Sequence, residues 1–331
     1  MKAIVYTEYG TPDVLKLKEI AKPTPKEKEL LVKIHAAPVN FGDVLVRNFK
    51  AVSPREFTMP TPLWFLARMS FGFSKPNIQT PGSEFSGVVE AVGGGVTQFR
   101  VGDAVFGYRG QAMGANAEYL CVPEASAVTL KPANISFEEA AGIPYGALTA
   151  LALLRKANIQ PGQKVLINGA SGGIGSFAVQ IARYFGAEVT GVCSTPRLET
   201  VKALGADHVI DYTREDFTQN GKVYDLIFDV KNKSSFAKCK NSLTPNGCYM
   251  LASFKTGQVI QMMWTSLTSS KKVKCVFSDD KPADLVFIRE LVEAGKLKSI
   301  VDRCYPLAQA ADAHRYYESG AKTGSVVIVI A

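Results

Sequence analysis

The run Asn168-Gly169-Ala170-Ser171-Gly172-Gly173-Ile174-Gly175 lies between the apolar strand-like KVLIN and the helix-spaced SFAVQIARYFG. A strand that passes into a helix through four glycines fits few architectures. Backbone N–H groups at a helix N-terminus attract an anion, and a missing Cβ lets a phosphate approach them closely. Gly172, Gly173 and Gly175 supply that approach, with Ser171 and Ile174 completing the turn. In a strand–turn–helix context the pattern predicts a dinucleotide pyrophosphate site.

The surrounding rhythm supports a doubly wound domain. EVTGVCS, YDLIFDV, GCYMLAS and KVKCVFS read as further strands, with a helix from Pro196 to Leu204 after the first of them. Before residue 123 the chain is instead a series of short β runs broken by turn residues, from AIVYTEY to AEYLCVP. After Cys275 come an amphipathic stretch (284–294), a helix (308–319) and the closing strand SVVIVI. The expected fold class is α/β: a β-rich domain from 1–122 and 269–331, interrupted by a doubly wound Rossmann domain at 123–268.

The second Rossmann strand ends about twenty residues past the glycines, where a site for NAD presents a carboxylate to the ribose. Here the sequence is Ser194-Thr195-Pro196-Arg197. Hydroxyls and a guanidinium suit a 2′-phosphate, so NADPH is the expected cofactor, with Tyr212 as a further wall of that pocket. Ser194 or Thr195 as helix cap and a solvated Arg197 is the plainer alternative, and the two are compatible.

Composition narrows the remainder. The net charge of +8 arises from 38 basic and 30 acidic residues, interleaved rather than blocked, which argues against nucleic-acid binding. The six cysteines form no CxxC pair and read as reduced thiols. The opening MKAIVYTEYG lacks the pattern of a signal or transit peptide, and the uncharged stretch around the glycines is too rich in glycine and polar residues for a transmembrane segment. The expected compartment is the cytosol.

With these residues in hand, the whole chain resembles the medium-chain dehydrogenase/reductase superfamily, and within it the zinc-independent quinone oxidoreductases related to zeta-crystallin. The resemblance is carried by MKAIVYTEYGTPDVLKL, AAPVNFGDVLVR, PGSEFSGVVEAVGGGVTQFRVGDAVFGY, AAGIPYGALTALALL, the glycine loop, KALGADHVIDY and KTGSVVIVI. It implies a GroES-like catalytic domain built from both ends of the chain, a cleft between it and the Rossmann domain, and a homodimer joined through the Rossmann sheet with KVKCVFS as the seam; the aromatic segment 52–78 would suit a small planar or lipophilic substrate. Zinc-dependent relatives have a cysteine at the position of Asn40 and a histidine at that of Ser83, and the cysteine loop of a structural zinc is absent. No metal is therefore expected.

Without a Lewis acid for an alkoxide, reduction of a conjugated acceptor is the favoured chemistry: hydride from NADPH to a quinone, enone or enal. The resemblance places Asn40, Asp43 and Arg47 at the cleft, although Asp43 and Arg47 also read as a structural ion pair. The tyrosine that many relatives carry shortly after this asparagine is Leu45 or Val46 here, so Tyr145 is the candidate proton donor, with packing aromatic as its alternative. Thr149 is expected to shape the nicotinamide pocket, and Leu251, Ser253 and Lys322 to contact cofactor. The aromatic segment 52–78 reads as lid, core or interface, and the run from Gln261 to Trp264 shares that ambiguity. A zinc-independent alcohol or aldehyde dehydrogenase, an enoyl-thioester reductase, and a non-catalytic NADPH-binding or RNA-binding protein are the alternatives.

Overall fold

A computed structural model describes residues 1–330. In the first part, β1 (Lys2–Val5), β2 (Lys16–Glu19) and β3 (Glu29–Val39) precede α1 (Phe41–Arg47) and α2 (Thr61–Phe71), followed by β4 (Glu84–Val92), β5 (Ala104–Tyr108), β6 (Tyr119–Pro123) and β7 (Ala127–Leu130). Then come α3 (Phe137–Ala141), α4 (Pro144–Ala157), β8 (Lys164–Asn168), α5 (Gly173–Tyr184), β9 (Glu188–Cys193), α6 (Leu198–Ala203) and β10 (His208–Asp211). The sheet continues with β11 (Tyr224–Asp229), α7 (Phe236–Cys239), β12 (Leu243–Leu251), α8 (Thr256–Thr268) and β13 (Lys272–Cys275). The chain closes with α9 (Pro282–Glu293), β14 (Val301–Pro306), α10 (Ala310–Glu318) and β15 (Ser325–Val329).

Six parallel strands stand in the order β10-β9-β8-β11-β12-β13. Numbered from β8 this is 3-2-1-4-5-6, the dinucleotide-binding order, and its switch point falls at the end of β8 where the glycines lie. The central strands are apolar because helices cover both faces of the sheet: Val165, Leu166 and Ile167 are fully buried, as are Ile227 and Phe228.

The second sheet runs β14-β15-β3-β4-β5-β7, with β6 on β3. β15 pairs antiparallel with β3, Val326 opposite Val39, so the last strand completes the sheet begun by the third. Its core gathers Leu30, Val32, Ile34, Phe85 and Val105.

The sheets move the expected domain boundaries. β7 belongs to the seven-stranded sheet through β5, so that unit extends past residue 122. β13 pairs with β12, so the doubly wound unit continues past 268, and α9 packs between the two units, burying Leu285, Ile288 and Leu291 in a core that holds α4 and α5 together with Phe106 and Ala127. Turn residues marked the strands correctly, but which sheet an edge strand joins depends on long-range pairing that local sequence does not encode.

No helix among the described residues is long and apolar enough to cross a membrane.

Candidate active site

Three segments meet at the C-terminal edge of the six-stranded sheet. The first is the glycine loop. Gly172 caps α5 without a side-chain partner, so the first amides of the helix are free to hold an anion. A Cβ on Gly175 would stand 2.1 Å from the Gly169 carbonyl oxygen, and one on Gly146 2.4 Å from that of Gly173, so loop, α5 and α4 pack at backbone distance. Nothing lies within 4 Å of a Cβ built on Gly173: the space in front of the turn is open. That is the cradle a pyrophosphate needs.

The second segment is the chain's return. Lys322 shares the cavity of Ser171, Gly172, Gly173 and Ser176, together with Thr200 and Thr323. Its ammonium lies 4.9 Å from the Tyr317 ring centroid and makes no ion pair among the described residues. Burial pushes it down to about 8, with Lys231 and Arg197 adding repulsion and Asp302 opposing. Like charges held together in a half-buried cleft favour an anionic ligand. Arg197 donates to the Gly320 carbonyl at 3.0 Å, which ties it to the same segment. These residues fit a dinucleotide.

Around the adenosine corner, Ser194 precedes the turn into α6, and Tyr212, 63% exposed, follows β10 with its amide on the Cys193 carbonyl. Thr195 requires a correction: its hydroxyl donates to Asp211, which also accepts from Thr213, so it is already engaged within the protein. Asp211 was missed because it ends the neighbouring strand, outside the window where the motif looks for a carboxylate. Thr149 is buried in α4, Ile174 packs against the core, and Leu251 is fully buried among Ile227, Tyr249 and Val273, so only the Leu251 backbone can reach a ligand. Ser253, half-buried, follows it.

The third segment joins the two domains. Asn40 caps α1 and accepts from Gly42 at 2.8 Å and Asp43 at 3.2 Å. Its side-chain amide donates to Ser83 Oγ at 2.6 Å and Glu84 Oε2 at 2.9 Å. The Tyr145 backbone N–H donates to Glu84 Oε1 at 2.8 Å, so Glu84 bridges β4 and α4 across the cleft. Burial pushes the Glu84 carboxyl up to about 8, Asp43 adding to it and the two donors opposing. Glu84 had gone unnoticed as a functional residue; an acid among the apolar residues of EFSGVVEAV was the available signal.

Asp43 is not placed as expected. Fully buried, it accepts from the backbone amides of Asn40 at 2.9 Å and Gly82 at 3.0 Å, which makes it a brace for the turn. Nor does it pair with Arg47, which donates to His314 Nδ1 at 2.8 Å, Glu318 at 2.8 Å and the Gly10 carbonyl at 3.1 Å.

Tyr145 packs against Tyr108 with ring centroids 5.6 Å apart and planes tilted by 40°, and its hydroxyl has no hydrogen-bond partner among the described residues. Burial pushes the phenol up to about 12, with Glu84 and Asp280 adding to it, so it keeps its proton. Tyr317, which sequence reading overlooked, is also raised, chiefly by burial and then by Asp43, Tyr145 and Glu84, and it links Lys322 to this cluster. Of the aromatic segment, Phe57 and Phe71 are core with Phe49, Trp64 is half-buried with its indole N–H on the Val52 carbonyl, and Phe65, Met69 and Phe73 are exposed.

Residues 26–132 match the alcohol dehydrogenase GroES-like domain and residues 204–328 the zinc-binding dehydrogenase family. Over 99% of its length, and 98% of the relative's, the chain is 33% identical to the spinach quinone-oxidoreductase homolog, a chloroplastic protein. It is 31% identical to an Arabidopsis thaliana chloroplastic NADPH-dependent alkenal/one oxidoreductase, covering 99% of this chain and 79% of that one. The chain belongs to the quinone oxidoreductase family of the medium-chain dehydrogenases/reductases. The quinone oxidoreductase of Coxiella burnetii has the same fold, with a TM-score of 0.85 and 28% identity over 100% of this chain and 99% of that one. This family member is an oxidoreductase, and its cradle is that of an NAD(P)H site.

Proposed function

We propose that the protein reduces quinones and α,β-unsaturated aldehydes or ketones with NADPH, without zinc, as a cytosolic homodimer. The observation that carries this reading is the contact of Asn40 with Ser83. At the two positions where zinc-dependent relatives hold metal, an amide and a hydroxyl satisfy each other at 2.6 Å. Such a neutral pair offers no thiolate or imidazole to a zinc ion.

The cluster of Lys322, Lys231 and Arg197 supports the phosphorylated cofactor. When bound, NADPH supplies the hydride. The residues of the cleft do the rest: Glu84 locks β4 to α4, fixing Asn40 and Tyr145 relative to one another, and the Tyr145 phenol, protonated throughout the neutral range, offers a hydrogen bond and a proton to the acceptor's carbonyl oxygen. A conjugated acceptor needs only this positioning and one donor. The amides that β13 turns away from the sheet, at Val273 and Cys275, donate to Thr265 Oγ1 and Met262 Sδ of α8, so the homodimer rests on the family resemblance and not on an open sheet edge.

The test is NADPH oxidation by chelator-treated protein, with NADH in parallel, against a naphthoquinone, an enal, a saturated aldehyde and an enoyl thioester. Turnover of the quinone or enal, undiminished by the chelator and faster with NADPH, is the expected result. Turnover restored only by added zinc, or confined to the saturated aldehyde, overturns the reading.

A further inference from the structure

Two helices carry apolar residues on their outer faces. Along α8, Ile260, Met263, Trp264 and Leu267 recur at helical spacing and are 62 to 86% exposed, while Thr265 is buried. On and just past α2, Phe65, Leu66, Met69 and Phe73 are 57 to 64% exposed. This spacing normally marks the face a helix buries. The helices begin side by side, the Thr61 N–H donating to Thr256 Oγ1 at 3.3 Å and Lys255 to the Arg55 carbonyl. α8 leaves the strand end that carries Leu251 and Ser253, and α2 lies in the segment that follows Asn40 and α1, so this surface spans both sides of the cleft.

Its charge identifies the occupant. Residues 48–78 and 254–277 contain eight lysines and arginines and a single acid, Glu56. None of the eight forms an ion pair among the described residues. Lys255 at the start of α8 and Lys271 and Lys272 just past its end flank the apolar stripe, the Lys272 ammonium lying on the Thr265, Ser266 and Ser269 carbonyls. A second copy meeting this face across a two-fold axis would bring the same cations together unneutralised. An anionic bilayer offers headgroups to the lysines and an acyl boundary to tryptophan, phenylalanine and leucine side chains.

We propose that α2 and α8 form a docking surface for an anionic lipid bilayer, holding the protein in the membrane plane as a peripheral enzyme. Trp264 is one of two tryptophans, so Trp64→Phe leaves it as the only emitter, with circular dichroism confirming that the variant is folded. With vesicles of phosphatidylcholine containing about one-third phosphatidylserine, Trp264 emission shifts to the blue and the full chain co-sediments; binding falls at least about tenfold on phosphatidylcholine alone or in high salt. The double variant Leu66→Ser/Leu267→Ser loses vesicle binding while its turnover of a water-soluble acceptor is retained. Absence of binding to anionic vesicles, or binding unchanged in the double variant, overturns the proposal. So does a dimer in sedimentation velocity that the double variant dissociates, which would make the stripe a contact between copies.

Discussion

The Asn40 side-chain amide donates to the Ser83 hydroxyl at 2.6 Å, across 43 residues of chain. The same group reaches Glu84, and the Asn40 carbonyl caps α1, so one side chain fixes a helix start, a strand start and the carboxyl that binds α4. Asn40→Ala removes a helix cap and leaves buried acceptors without their donor; each loss costs about 1–2 kcal/mol, and the sum is about 3 kcal/mol. Urea denaturation measures the stability loss, and kcat falls with it because Tyr145 is no longer held. Full activity in a destabilised variant would separate Asn40 from the chemistry.

Glu84 makes stability depend on pH in an unusual direction. Its folded-state carboxyl is raised to about 8 from 4.5, so the folded chain keeps a proton that the unfolded chain has released. That contribution is complete below about pH 4.5 and is lost as pH rises through 8. Denaturation series from about pH 6.5 to 8 therefore show falling stability in the native chain. In Glu84→Gln the fall across that window is lost, whereas below it Asp43, raised to about 6 by burial, and His314, lowered to about 3 by burial, act in opposite senses and are untouched by the substitution. An unchanged slope in the variant would assign the titration to another group.

Arg197 bears on cofactor choice. Arg197→Ala is expected to weaken NADPH binding by about tenfold or more while leaving NADH nearly unaffected, the loss of one charge-assisted contact. Fluorescence titration with both cofactors reads the ratio. Equal weakening of the two would reduce Arg197 to a tie on the Gly320 carbonyl.

Gly175→Ala places a methyl 2.1 Å from a backbone oxygen that cannot swing aside. The expected result is loss of cofactor binding with lowered thermal stability, whereas Gly173→Ala, whose methyl enters open space, folds normally and loses affinity only. Paired melting and titration experiments distinguish packing from access.

Much of this was legible in advance, for reasons that differ by region. The glycine loop was readable because its chemistry is local: strand, turn and helix are contiguous, and the backbone itself makes the site. Asn40 and Tyr145 were identified from resemblance, and the fold brings them together through a residue that neither reasoning named. Glu84 acts through partners 44 and 61 residues away, and Arg47 through partners more than 260 away, distances at which spacing carries no information. Asp43 was misread for the same reason, since only the fold shows that Gly82 supplies its second donor. Thr195 shows the converse error: a residue placed correctly, whose hydroxyl a neighbouring strand had already engaged.

The pairing of β15 with β3 also sets an order of events during synthesis. The doubly wound sheet lies wholly within the interior of the sequence, so it can assemble while the ribosome is still translating. The other sheet must wait, with the Ala36–Val39 stretch of β3 open on one side, until the segment Ser325–Val329 has been made. A nascent chain stalled shortly before Ser325 would hold a formed nucleotide cradle beside an unfinished partner domain, an edge open to chaperones or to a β15 segment supplied in trans.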